Sequence, residues 1–104
     1  MRTEFDIFWS KESKVKLDSI VFFLRKKWTE KEVNKFLTQI KEFERIVVKF
    51  PEIYAESKKK TGLRRAVLSK HNSVIYEIDW EKALIKAYTI FDNRQHPESN
   101  EVTK

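Results

Sequence analysis

Cysteine is absent from the 104 residues, which excludes a disulfide framework and a thiolate metal centre. Glycine occurs once, at Gly62, and proline twice, at Pro51 and Pro97, so no Gly- or Pro-rich linker divides the chain. No internal repeat or low-complexity segment is present. Long apolar runs are missing too: the longest, 20–24, falls far short of the roughly 20 residues that a membrane-spanning helix needs. The opening residues, Met1-Arg2-Thr3-Glu4-Phe5-Asp6, alternate in charge where an export signal carries an apolar stretch, so export is not expected. With no thiols and no such signal, a reducing, cytoplasmic setting without a membrane partner is the expectation. Acidic residues, finally, are absent between positions 57 and 70.

What is present suffices for one core. Apolar residues make up 40% of the chain and include 8 Phe, enough for a single core and too little for a second domain. One domain spanning 1–104 is expected, with 92–104 as a loose tail. Lys and Arg number 22 against 16 Asp and Glu, a formal net charge of +6. The excess is uneven. The acid-free stretch holds Lys58, Lys59, Lys60, Arg64, Arg65 and Lys70, while a second cluster joins Lys11, Lys14 and Lys16 to Arg25-Lys26-Lys27. Cations gathered this way attract phosphate or carboxylate partners over a Debye length of ~10 Å. A lysine run such as 58–60 is equally in keeping with a solvated loop. Arg64 and Arg65 open a strand, where side-chain direction is set, and their planar forks suit phosphate or carboxylate.

Periodicity organises the rest. Glu4 and Asp6 alternate with Phe5 and Ile7 ahead of Phe8 and Trp9, which predicts a short strand over 4–9. Ser10 is placed to cap a helix that carries Leu17, Ile20, Val21, Leu24 and Trp28 at helical spacing. Thr29 and Glu32 have the spacing of a capping box for a second helix through Val33, Phe36, Leu37, Ile40, Phe43 and Val47, which Pro51 stops. The connection is so short that the helices must form an antiparallel hairpin. Residues 63–69 and 73–79, rich in Val, Ile, Leu and Tyr, flank the polar turn Lys70-His71-Asn72 and predict paired antiparallel strands. Residues 83–91 are apolar on both faces apart from Lys86 and Thr89, as a central strand requires. The fold class is therefore α+β: an N-terminal strand, a two-helix hairpin, then a three-stranded antiparallel sheet with both helices on one side.

This β-α-α-β-β-β order, with the segment GLRR at 62–65 opening the sheet, Phe50-Pro51-Glu52 leaving the second helix and IFDNRQHP at 90–97 closing the last strand, resembles the RelE/ParE family of bacterial toxins. The resemblance covers nearly the whole chain. It implies the toxin component of a type II toxin-antitoxin module, which inhibits growth until a cognate antitoxin wraps its surface. The first reading is ParE-like, with DNA gyrase as the essential target. The alternative is RelE-like, a metal-independent endoribonuclease that cuts mRNA on the ribosome. Charge alone also allows a non-toxic nucleic-acid-binding module, which the resemblance does not favour. No cofactor, metal or small-molecule substrate is implied.

Metal-free RNA cleavage needs a group to draw the proton from a 2′-hydroxyl, another to protonate the leaving oxygen, and cations to stabilise charge on the phosphate. The resemblance places basic residues along the hairpin strands, an Arg at the end of the last strand and a Tyr or His just beyond. Arg64, Arg94 and His96 are the candidates for catalysis on that reading, His96 because imidazole titrates near neutral pH. Ala66 and Ser73 stand where further basic residues belong, so the cationic set is thin. In ParE-like members the last stretch reads roughly Arg-x-Asp-Pro, which makes His96 before Pro97 a tail residue. His71 sits in a turn and, with one other His and no Cys, makes no metal site. Tyr76 and Tyr88 read as sheet-face residues, Trp9 and Trp28 as packing residues, and only Trp80 as an exposed aromatic. For partner or nucleic-acid contact the candidates are Arg64, Arg65, Lys70 and Arg94. They would meet an acidic, amphipathic antitoxin segment docking on the open sheet face and strand edges.

Overall fold

The computed structural model describes residues 4–58 and 61–94. Strand β1 (Asp6–Trp9) runs into Ser10, whose hydroxyl accepts the Ser13 amide at 3.1 Å and so caps helix α1 (Lys11–Lys27). Thr29 does the same for helix α2 (Glu30–Val47), accepting the Glu32 amide at 3.3 Å. Only Trp28 and Thr29 separate the two, which folds them into a hairpin. Its inward face is Ile20 and Leu24 from α1 with Val33, Phe36, Ile40, Phe43 and Val47 from α2, recurring every three or four residues. The Glu32 carboxylate, read from sequence as the returning half of a capping box, is engaged by the distant Arg94 instead. Among the described residues no helix is long and apolar enough to cross a membrane.

Strands β2 (Leu63–Val67), β3 (Asn72–Asp79) and β4 (Leu84–Asp92) pair antiparallel in sequence order. The N-terminal strand joins them as a fourth, parallel to β4, giving the order β1-β4-β3-β2. A parallel neighbour needs a long crossover, and the helical hairpin with β2 and β3 supplies it. Since β1 is short, Ser10 carries on along the β4 edge, its amide bonded to the Ala87 carbonyl at 2.9 Å and its hydroxyl to that of Tyr88 at 2.8 Å.

A bulge explains why β4 is apolar on both faces. The register passes from Ile75↔Thr89 to Tyr76↔Ala87, so Tyr88 has no partner opposite. Ile85 and Ala87 before it and Ile90 and Asp92 after it are all buried, because the extra residue shifts the inward phase by one. The sheet contributes Ile85, Ala87 and Ile90 together with Ala66, Val74 and Tyr76 to the core. At its centre Phe43 sits 5.7 Å from the Tyr76 ring and 5.8 Å from Trp9, edge-on to both. The Tyr76 hydroxyl donates to the Pro51 carbonyl at 2.5 Å, so even the polar tip of this residue is spent on structure.

Three expectations change. The β2 edge is not open: the Arg65 amide reaches the Ala55 carbonyl at 3.0 Å and the Ser57 amide the Leu63 carbonyl at 2.6 Å, so the chain covers its own edge. Trp9 packs inward as expected, but Trp28 is 49% exposed. Asp92 does not begin a loose tail; it ends β4 buried, and the Asn93 amide is tied to the His71 carbonyl at 2.9 Å. The end of the strand is held because its charges have partners.

Candidate functional site

Residues at one end of the sheet form a clasp around Arg94. Its Nε and backbone amide both reach Asp92 Oδ1, at 3.1 and 2.9 Å, and Nη2 reaches Oδ2 at 2.9 Å. Nη1 crosses to Glu32 Oε1 on the first turn of α2 at 2.8 Å. The guanidinium lies 5.3 Å from the centre of the Trp28 ring, so it bridges an aromatic face and two carboxylates. These bonds, to Asp92 above all, hold its pKa above the ordinary arginine range. Only 8% of the side chain is exposed, and all three nitrogens are occupied. Beneath it Asn72 Nδ2 donates to Asp92 Oδ2 at 2.5 Å, and Ser69 Oγ donates to Asn72 Oδ1 at 2.9 Å. Lys35, Gln39, Lys70 and His71 rim the cleft above this network.

The sequence candidates for partner contact therefore separate. Lys70 and Arg94 share the clasp cleft, but Arg94 is committed to Asp92 and Glu32 and presents no fork to a phosphate. Arg64 and Arg65 alternate along β2 and so point to opposite faces. Arg64 turns to the helix side, donating to the Tyr54 carbonyl at 2.7 Å and lying 3.6 Å from Glu52. Arg65 stands exposed on the open face, its Nε on Ser73 Oγ at 3.3 Å. His96 lies outside the described residues.

The open face also carries a cleft of about 550 Å³, bounded by Ser10 and Glu12 at the start of α1 and by Leu63, Ile75, Glu77, Tyr88 and Thr89 of the sheet. Its lip is Gly62, whose φ of +91° needs a residue without a Cβ. Leu63 and Glu77 are register partners, as are Ile75 and Thr89, so the floor is apolar with a carboxylate at its margin. The bulge brings Tyr88 to this face, 38% exposed, where its hydroxyl donates to Glu77 Oε1 at 2.5 Å. That bond holds the phenol above its usual pKa, because ionising it would set two anions together. The cations of this face are turned aside: Lys86 Nζ lies 3.6 Å from Asp79 Oδ2, and Arg65 leans to Ser73. Among the described residues neither Glu12 nor Glu77 makes an ion pair.

Neither a protein-family model nor a curated protein matches the sequence. Solved structures do match. A chain of the chromosomal ParDE TA system from P. aeruginosa superposes with a TM-score of 0.72 at 14% identity, covering 88% of this chain and 98% of that one. A chain of the toxin-antitoxin complex RelBE2 from Mycobacterium tuberculosis gives 0.66 at 12% identity, over 86% and 98%. The isolated E. coli RelE toxin gives 0.55 at 13% identity, over 95% and 96%. The chain has the RelE/ParE fold.

Within the RelE/ParE fold the residues that reasoning from sequence overlooked are the acids. Glu32 read as a helix cap and Asp92 as the start of a tail, yet together they immobilise Arg94. The spacing Asp92-Asn93-Arg94 was the available signal, since a carboxylate and a guanidinium two residues apart at a strand end readily close on each other. Nothing in the spacing of Glu12 and Glu77 along the chain brings them to one cleft. No cluster of three potential metal ligands occurs among the described residues.

Proposed function

We propose that this RelE/ParE-fold chain is the toxin of a type II toxin-antitoxin module, acting by binding an essential protein target in the ParE manner, with DNA gyrase the candidate, and neutralised by a cognate antitoxin. The fold likeness to toxin-antitoxin structures supports the first half. The observation that carries the second is the charge lining the cleft on the open face. Its cleft is bordered by the carboxylates of Glu12 and Glu77, which repel an RNA backbone where cleavage would demand cations. Arg94 and Arg64, the cations proposed for cleavage, are held on other partners, on the clasp and on the helix side.

Tightly controlled expression of the full chain tests this reading. Growth arrest with a DNA-damage response and intact mRNA is the expected result, along with inhibition of purified gyrase supercoiling. Position-specific cuts in ribosome-bound mRNA that vanish in His96→Ala would replace it with the RelE-like ribonuclease reading. A chain that leaves growth untouched would remove toxicity and return the non-toxic nucleic-acid-binding module.

A further inference from the structure

A protein of net charge +6 presents, in the middle of its open sheet face, a cleft whose charged lining among the described residues is acidic. Two features make it more than a pair of surface acids. Its floor is apolar, with Leu63 and Ile75 on adjacent strands. Among the described residues Lys86, opposite Glu77 on β4, is directed to Asp79, and Arg65 to Ser73. Two carboxylates without an ion pair among the described residues, beside an apolar floor, suit a cationic guest with an aliphatic stem and several donors.

We propose that this cleft receives an arginine side chain of a protein partner. The stem lies on Leu63 and Ile75, and the guanidinium meets the Glu77 and Glu12 carboxylates. Arginine fits better than lysine because its planar fork offers five donors and desolvates more readily than an ammonium. Tyr88, already donating to Glu77, leaves that carboxylate lone pairs for a bidentate fork and orients it. The same charges turn away phosphodiesters, so the cleft selects a basic protein surface and rejects nucleic acid. This rests on the protein-binding reading of the previous subsection and names the chemistry that its partner must display.

The test uses the isotopically labelled full chain and the tripeptide acetyl-Leu-Arg-Leu-amide, followed by amide chemical shifts. Shifts confined to the neighbourhood of Leu63, Glu77, Tyr88 and Thr89 are expected. Replacing the arginine by citrulline, its neutral isostere, should weaken binding at least fivefold. Glu77→Gln should weaken the arginine peptide by a similar factor, while Glu81→Gln, in the exposed turn between β3 and β4, should leave it unchanged. Should Glu77→Gln fail to fold, Glu12→Gln on the first turn of α1 asks the same question. Equal binding of the citrulline peptide, shifts that map elsewhere, or stronger shifts of these amides by a single-stranded RNA 12-mer would overturn the proposal. Growth assays do not enter this measurement. A harmless chain that still binds the arginine peptide discards the toxin reading and keeps the cleft, and a toxic chain that ignores the peptide does the reverse.

Discussion

Arg94 and Glu32, 62 residues apart, meet at 2.8 Å and fasten the end of the last strand to the first turn of the second helix. Asp92, with its side chain fully buried, lies on the other side of the guanidinium and depends on it for neutralisation.

Breaking this clasp should cost more on the cationic side than on the acidic one. Arg94→Met leaves the buried Asp92 carboxylate without its counter-charge, for which about 3–5 kcal/mol is the expected loss. Glu32→Gln keeps a bond to Arg94 and should lose about 1–2 kcal/mol. Urea unfolding at neutral pH reads both, and an unchanged slope would show that the midpoint shift reports stability. Equal effects of the two variants would contradict the geometry.

Tyr76 makes a specific alkaline prediction. Burial pushes its phenol up to about 12, whereas an unfolded tyrosine ionises near pH 10. The folded state thus favours the neutral form, so this stabilisation is complete below about pH 10 and is lost as pH rises toward 12. Urea midpoints followed across that window should fall in the wild type. Tyr76→Phe should flatten the fall while lowering stability at neutral pH by about 0.5–1.5 kcal/mol through the lost bond to Pro51.

Ala83, in the turn between β3 and β4, has a φ of +52°. That conformation costs a residue bearing a Cβ about 1–2 kcal/mol, part of which glycine avoids at an entropic cost of its own. Ala83→Gly is expected to stabilise the protein by about 0.5 kcal/mol, seen as a raised thermal midpoint. A lowered midpoint would show that the turn is not strained.

For the proposed antitoxin, the exposed cations should govern encounter. Arg65→Glu with Lys70→Glu is expected to slow association about tenfold and flatten its salt dependence, with little change in dissociation. Arg64→Met, which loses bonds to Tyr54 and Glu52 on the helix side, should lower stability and leave the association rate alone. Stopped-flow mixing at two salt concentrations separates these cases.

Much of this architecture is written locally. The spacing from Val33 to Val47, the hydroxyls of Ser10 and Thr29, Pro51 after the second helix and Gly62 before the sheet each act within a few residues, where periodicity and capping chemistry operate. The β3 alternation of Val74, Tyr76 and Ile78 against Ile75, Glu77 and Asp79 belongs to the same class. Arg64 and Arg65 show the limit. Their strand position was legible, but one residue of register sends them to opposite faces, and which face is covered depends on where the helices dock.

By itself, then, the sequence determined the element order and the helix faces, because these follow from interactions between near neighbours along the chain. Tertiary structure alone decided that β1 lies parallel to β4, that a bulge turns Tyr88 outward, that Glu32 reaches Arg94, and that Glu12 and Glu77 share a cleft. Charges attract whichever partner folding brings within a few ångströms, and that distance is set by packing across the whole molecule rather than by spacing in the chain.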